Sequence, residues 1–295
     1  MTQLDVQCES ASLQTREARL PNFLYIGTSK AGSTWIYHVL AQHSRVFIAP
    51  CKGAYFFDNH FQNGLEWYHD FFRRAGDEPV IGEISHSYLH SPDAAERIAQ
   101  IMPAAKLMVC LRDPVQRAFS DYLDSVKNGR FAGTFTEALQ TNASLLERGA
   151  YATHLARYLE DFGREQIHAA MFDDLQADPQ KFADDLFAFL QVEPYRLTAT
   201  MRQKMMPAAR PRLRWFNRLA KRVARGCERV GLSQVRGRAK RSRWLRDLLY
   251  RPYATSEVPR MDDQIQRDLK EQFRDEVLRV DELLGTNCFQ RWGYD

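Results

Sequence analysis

Residues 23–35 read Phe23-Leu24-Tyr25-Ile26-Gly27-Thr28-Ser29-Lys30-Ala31-Gly32-Ser33-Thr34-Trp35. The first four form an apolar run that ends at a glycine, a pattern typical of a buried strand followed by a turn. Apolar residues then recur at helical spacing, which predicts a helix from about Gly32 to Gln42. In such a strand–loop–helix unit, backbone N–H groups and the positive end of the helix can face an anion. The stretch therefore predicts a phosphate-binding loop in an α/β fold.

The loop nearly meets the nucleoside triphosphatase pattern G-x-x-x-x-G-K-[ST], in which a lysine reaches the β- and γ-phosphates. Here Ser33 stands at the lysine position, and the lysine lies inside the loop as Lys30. The sequence also offers no convincing acidic partner for Mg²⁺. We therefore expect the loop to bind a phosphate other than the terminal phosphate of ATP. An atypical P-loop nucleotide kinase or NTPase is kept as the second hypothesis.

The rest of the chain alternates apolar runs with helical patterns. Strands are predicted at 46–48, 80–84, 106–111 and 167–171, and helices at about 91–103, 113–128, 136–146, 151–162, 179–190 and 262–284. Several of the strands are apolar on both faces, which indicates that both faces are covered. We predict a P-loop-like central parallel sheet flanked by helices on both faces.

Length and composition limit the classes to which the protein can belong. The 295 residues suit one large domain, so we predict a tail over 1–20 and a single domain over 21–295. No apolar run reaches the roughly 18–20 residues that a membrane span needs. The five cysteines are scattered without C-x-x-C spacing. This pattern favours a reducing, cytoplasmic environment and predicts neither a disulfide framework nor a metal site.

One segment carries the basic character of the molecule. Residues 208–251 hold 15 Lys and Arg against two acids, whereas the whole chain has a net charge of +4. Apolar residues at helical spacing within it predict basic amphipathic helices, added to the α/β core as an insertion. Such helices could pack as a lid, close an acceptor pocket or touch an anionic membrane. We expect no nucleic-acid partner.

Lys30-Ala31-Gly32-Ser33-Thr34-Trp35 resembles the 5′-phosphosulfate loop of sulfotransferases that use PAPS (3′-phosphoadenosine 5′-phosphosulfate), whose cytosolic members read K-S-G-T-T-W. The resemblance implies that Lys30 contacts the 5′-phosphate and the oxygen that bridges to sulfur. It implies that the residues after Lys30 bind the phosphate and that Trp35 stacks on adenine. A lysine placed beside that bridging oxygen would stabilise the charge that develops there during transfer.

A second motif follows the predicted strand 106–111. The stretch from Arg112 through Tyr122 resembles the family pattern R-[DN]-P-x-x-x-x-x-S-x-[YF], which forms the 3′-phosphate site. The resemblance assigns Arg112 and Ser120 to that phosphate, for which the guanidinium offers a fixed fork of donors. Residues 55–58, 64–68, 148–151 and 172–179 also look like the bacterial and glycosaminoglycan-type branch. The resemblance covers roughly residues 21–191.

The general base is harder to place. The glycosaminoglycan branch uses a glutamate where this chain has Gly53, so the resemblance leaves that role open. The cytosolic branch uses a histidine at the end of the strand before the 3′-phosphate strand, and His86 stands at the matching position. A histidine has a near-neutral intrinsic pKa, which suits a base. Glu83 is the alternative, and Lys52 is expected to hold donor sulfate or acceptor.

These observations together predict an O-sulfotransferase. PAPS would be the co-substrate and 3′,5′-ADP the product, with no catalytic metal. The acceptor would be a hydroxyl of a carbohydrate, a glycolipid or an aromatic small molecule. A non-catalytic nucleotide-binding protein is the third hypothesis, because Gly53 replaces one family's base.

Overall fold

The computed structural model describes residues 19–202, 209–211, 250–252 and 259–295. Its central sheet has the order β2-β3-β1-β4-β5, and every neighbouring pair is parallel. The strands are β1 (Phe23–Gly27), β2 (Val46–Ile48), β3 (Val80–Ile84), β4 (Lys106–Leu111) and β5 (Ile167–Met171). The prediction of a parallel α/β sheet is confirmed, with β1 reaching one residue further, to Gly27.

Helices cover both faces of this sheet. Those before the basic segment are α1 (Ser33–Leu40), α2 (Phe56–Asn59), α3 (Gly64–His69), α4 (Ala94–Ile101), α5 (Pro114–Lys127), α6 (Phe135–Thr141), α7 (Ser144–Glu147), α8 (Tyr151–Asp161), α9 (Phe172–Ala177), α10 (Pro179–Leu190) and α11 (Ala199–Arg202). After it come α12 (Asp263–Leu284) and α13 (Cys288–Arg291).

Two apolar cores lie on opposite faces of the sheet because successive side chains of a strand point to opposite sides. Leu24 and Ile26 of β1 belong to the core that α4, α8 and α12 complete. Phe23 and Tyr25 belong to the core that α1 and α10 complete. The fully buried β1 is therefore a central strand, as its uninterrupted apolar run predicts.

Two of the predicted helices differ from the observed ones by more than the usual one or two residues at an end. The pattern over 136–146 is two helices, because Asn142 leaves the helical conformation and Ser144 Oγ donates to its side chain at 2.7 Å. Short polar side chains compete in this way with helical hydrogen bonding. The helix expected at Ser91 begins only at Ala94, because Ser91, which precedes a proline, is extended.

The carboxyl ends of the parallel strands lie at one edge of the sheet, and the predicted site residues meet at this edge. β1 lies between β3 and β4, so the loop after Gly27 is flanked by the segments that carry His86 and Arg112. In open α/β sheets, ligands bind outside the carboxyl ends of the strands. The fold thus brings three separate stretches of sequence to one place.

The predicted basic insertion lies almost wholly outside the described residues. Of it, the structure describes β6 (Ala209–Pro211) and β7 (Tyr250–Pro252), which pair antiparallel. Its roles as lid or membrane contact therefore stay predictions. The tail is described only from residue 19.

Candidate active site

The loop after β1 is tied to the neighbouring strand. Thr28 donates its backbone N–H to the carbonyl of Cys110 on β4 at 3.0 Å. The hydroxyl of Tyr25, buried under the loop, donates to the carbonyl of Thr28 at 2.9 Å. The loop therefore has a fixed conformation above the end of the sheet.

Gly32 is required by geometry where the loop meets α1. Its φ is +86°, in the left-handed region, and a Cβ there would lie 2.6 Å from Cδ2 of Leu175. A side chain at this position would be strained and would also collide with α9. The glycine thus lets the backbone at the start of α1 lie close against α9.

Arg112 joins the two predicted nucleotide motifs. Its Nη1 donates to the carbonyl of Lys30 at 3.0 Å, and its guanidinium lies 5.0 Å from the ring centre of Phe172. The Lys30 ammonium lies 3.4 Å from Oδ1 of Asp124 on α5. Ser120 is half-buried on the same helix. The Arg112 guanidinium thus contacts the backbone of the predicted phosphate loop at Lys30, while the role of Ser120 stays a prediction.

Lys52 and Trp35 both have defined partners at the start of α1. Lys52 donates its Nζ hydrogen to Oγ1 of Thr34 at 2.6 Å, which brings a second cation to the loop. Trp35 is buried, donates its indole N–H to the carbonyl of Met201 at 2.6 Å and meets the ring of Phe182 edge-on. Ala31 and Ser33 are buried within the loop. Stacking of Trp35 on adenine stays a prediction.

His86 is the second residue after β3, and it lies near Lys52. Its Nε2 is 2.8 Å from the hydroxyl of Tyr55. Burial first, and then the positive charges of Lys52 and Arg148, lower the pKa of His86 from 6.5 to about 4. The imidazole is therefore neutral near pH 7, as a proton acceptor must be, but it is a weaker base than its near-neutral intrinsic pKa predicts.

Glu83 is enclosed by other side chains, whereas a base that meets the acceptor needs an open side. Glu83 is fully buried, and its carboxylate accepts hydrogen bonds from Tyr68 at 2.5 Å, from Tyr88 at 2.8 Å and from Ser85. Burial raises its pKa, and these hydrogen bonds oppose the rise. A carboxylate so enclosed organises the end of β3, which favours His86 over Glu83 as the group that meets an acceptor.

Two residues near the site were not foreseen from the sequence. Asp124 pairs with Lys30, and Tyr55 pairs with His86. Asp124 lies one helical turn beyond Ser120, so helical spacing could have suggested it. Tyr55 contacts His86 across 31 positions of sequence, and only the nearby Gly53 hinted at an unusual loop there.

A histidine next to the site makes stability depend on pH. Burial first, and then the charges of Arg148 and His154, lower the pKa of His90 from 6.5 to about 3. The unfolded chain takes up a proton below about pH 6.5 that the folded chain refuses until about pH 3, so stability falls as the pH drops through this window. His90→Gln should reduce the slope of unfolding free energy between pH 6 and 4.5 by about 1.4 kcal/mol per pH unit.

Denaturant titrations at several pH values measure this slope. The exposed histidine variant His60→Gln serves as the matched control and should keep the parent slope. Equal slopes for His90→Gln and the parent would show that His90 does not titrate differently in the two states.

Within the described residues, no helix combines the length and apolar character that a membrane span requires. The same residues contain no group of three or more His, Cys, Asp or Glu side chains arranged to hold a metal ion.

The chain is similar to heparan sulfate sulfotransferases of animals. The chain is 30% identical over 200 residues to a bifunctional heparan sulfate N-deacetylase/N-sulfotransferase 4 of Mus musculus, covering 60% of this chain and 23% of that protein. It is 31% identical over 170 residues to the heparan sulfate glucosamine 3-O-sulfotransferase 3B1 of Homo sapiens, covering 55% and 43%. The chain thus spans less than half the length of these relatives.

The fold has a counterpart among solved structures. The sulfotransferase from Alicyclobacillus acidocaldarius superimposes with a TM-score of 0.67 at 23% identity, over 91% of this chain and 97% of that one. This likeness concerns the fold. A match to the sulfotransferase domain model extends over residues 20–209, which include the loop at Lys30, His86 and Arg112. With the parallel sheet and the two motifs joined at its edge, this match shows that the chain belongs to the sulfotransferase domain family.

Proposed function

We propose that the protein transfers a sulfuryl group from PAPS to an acceptor hydroxyl. The observation that carries this proposal is the hydrogen bond between Arg112 and the carbonyl of Lys30 at 3.0 Å. It joins the cation expected at the 3′-phosphate to the loop expected at the 5′-phosphosulfate. A nucleotide with phosphates on both ends of its ribose suits such a pair of linked sites.

The residues present fit this donor. Gly32 takes the left-handed conformation at the turn from the loop into α1, where a Cβ would collide with Leu175. The side chains of Lys30 and Lys52 bring two positive charges to the same loop. The proposal assigns the 5′-phosphosulfate to Lys30, Lys52 and residues 31–34, the 3′-phosphate to Arg112 and Ser120, and adenine to Trp35.

The donor supplies the sulfuryl group, and the protein's residues manage the charges and the proton. As the acceptor oxygen bonds to sulfur, the bond from sulfur to the phosphate oxygen breaks, and its electrons stay on that oxygen. Lys30 stabilises the negative charge that develops there. His86, neutral near pH 7, takes the proton that the acceptor hydroxyl loses.

We propose a carbohydrate hydroxyl as the acceptor. Two relatives are named for heparan sulfate, an acidic polysaccharide. Lys52 and Arg148 both lower the pKa of His86, and Asp121, which pairs with Arg148, opposes them. An acceptor that reaches His86 would therefore meet the positive charge of Lys52, which supports an anionic carbohydrate over a neutral glycolipid or an aromatic metabolite.

Transfer of ³⁵S from labelled PAPS tests the proposal. The parent protein is incubated with heparan-type polysaccharides and, separately, with neutral glycolipids and phenols. We expect label in the polysaccharide fraction without added Mg²⁺. Label in the phenol fraction alone would overturn the acceptor class. Transfer of γ-phosphate from Mg²⁺-ATP in place of sulfate would overturn the function.

A further inference from the structure

The hydroxyl of Tyr55 lies within hydrogen-bond distance of His86 Nε2, the ring nitrogen that can receive a proton. The distance from Tyr55 Oη to Nε2 is 2.8 Å, and the two rings meet edge-on with centroids 5.4 Å apart. The other ring nitrogen, Nδ1, is buried from solvent. An acceptor hydroxyl that gives its proton to His86 must therefore approach the Nε2 side, where it meets Tyr55.

The loop holds Tyr55 in this place through its backbone. Tyr55 has φ 52° and ψ 36°, in the left-handed region that residues other than glycine rarely occupy. Its N–H donates to Oγ of Ser85 at 3.0 Å, and that hydroxyl in turn donates to the buried carboxylate of Glu83. Glu83 thus acts through Ser85 to fix the residue that contacts His86.

The glycine at position 53 makes room for this arrangement. Gly53 has φ +84°, and a Cβ there would lie 2.4 Å from Cε2 of Tyr55 and 2.8 Å from its hydroxyl. The ring of Tyr55 therefore fills the space that any side chain at position 53 would need. One branch of the family uses a glutamate at position 53 as base. That side chain could not fit here together with the ring of Tyr55.

We propose that Tyr55 is a further catalytic residue, which takes the proton of the acceptor hydroxyl while passing its own to Nε2 of His86. The acceptor O–H bond breaks and a new Tyr55 O–H bond forms, while the original phenol proton bonds to Nε2. The acceptor oxygen then holds the electron pair that bonds to sulfur. This inference rests on the proposed sulfuryl transfer. Tyr55 and His86 together would remove the acceptor proton, for which the glycosaminoglycan branch uses a glutamate.

The two proton transfers of the relay must occur together, because a phenol alone would not protonate an imidazole whose pKa is lowered to about 4. Burial raises the pKa of Tyr55 to about 12, and the negative charge of Asp58 adds to the rise. The phenol therefore stays protonated near pH 7 and can donate to the neutral imidazole. Its oxygen keeps a lone pair for the proton of the acceptor.

Tyr55→Phe tests the relay because it keeps the ring against Gly53 and removes only the hydroxyl. We expect kcat for ³⁵S transfer to fall about 10²-fold, within the range of general acid–base steps, with unchanged affinity for 3′,5′-ADP. Tyr195→Phe is the matched control, since Tyr195 also lies beside a histidine. The ring centroids of Tyr195 and His43 are 6.0 Å apart. That control should keep the parent kcat.

A double-mutant cycle separates the relay from a purely structural role. If Tyr55 acts through His86, the variant that combines Tyr55→Phe with His86→Ala should be no slower than His86→Ala alone. A kcat for Tyr55→Phe within threefold of the parent, additive losses, or an equal loss of 3′,5′-ADP affinity would each overturn the relay. A parent protein that moves no label from PAPS would instead contradict the proposed function.

Discussion

Replacing Lys30 by alanine is expected to lower kcat for sulfuryl transfer by roughly 10²–10³-fold. The substitution removes the ammonium that we propose to lie beside the phosphate oxygen. Negative charge develops on that oxygen as its bond to sulfur breaks. This charge grows only on the way to the transition state, so the loss should fall mainly on kcat. Transfer of ³⁵S from labelled PAPS at saturating donor measures the effect.

The fold should survive this change. Asp124, which pairs with Lys30, keeps a second partner in Arg130, whose Nη2 lies 2.7 Å from its carboxylate. Lys181→Ala, which removes an exposed lysine from a surface pair, is the matched control and should retain parent activity. A Lys30→Ala protein with more than a third of the parent kcat would remove Lys30 from the transfer step.

The second large effect is expected for His86→Ala, which should lower kcat about 10²–10⁴-fold. The variant lacks the neutral imidazole at the end of β3 to which the acceptor proton passes. Because the proposed mechanism places His86 on the acceptor side of the loop, the affinity for 3′,5′-ADP should stay close to that of the parent. Kinetics of ³⁵S transfer and calorimetric titration with 3′,5′-ADP measure the two quantities separately.

His60→Ala, at an exposed histidine, is the control for this variant. Full activity of His86→Ala would exclude His86 as the base and leave the proton without the proposed path. A parallel loss of 3′,5′-ADP affinity would place His86 in the donor site instead.

The sheet, and the meeting of the two predicted donor motifs at its edge, could be predicted from sequence because local patterns encode them. Apolar runs placed the five strands, and each motif stands immediately after one of them. Parallel strands end at one edge, so the loop at Lys30 and the later Arg112 could be expected to meet there. The hydrogen bond between Arg112 and the carbonyl of Lys30 has the geometry that this expectation requires.

The acceptor side could not be predicted in the same way. Tyr55 takes a left-handed conformation that its residue type disfavours, and its partner His86 lies 31 positions away. Nor does strand alternation reveal that Glu83 is enclosed by Tyr68 and Tyr88, which come from two other segments. Such long-range side-chain contacts depend on the packing of loops, and no local pattern in the sequence specifies that packing.

Calorimetric titration of the parent and of Arg112→Ala with 3′,5′-ADP, 5′-ADP and Mg²⁺-ATP tests the donor site most directly. A charge-assisted hydrogen bond contributes about 1.5–3 kcal/mol, and about 1.4 kcal/mol corresponds to tenfold in affinity. The parent should therefore bind 3′,5′-ADP at least about tenfold more tightly than 5′-ADP, and Arg112→Ala should lose that preference. Tighter binding of Mg²⁺-ATP than of 3′,5′-ADP by the parent would contradict a PAPS donor site.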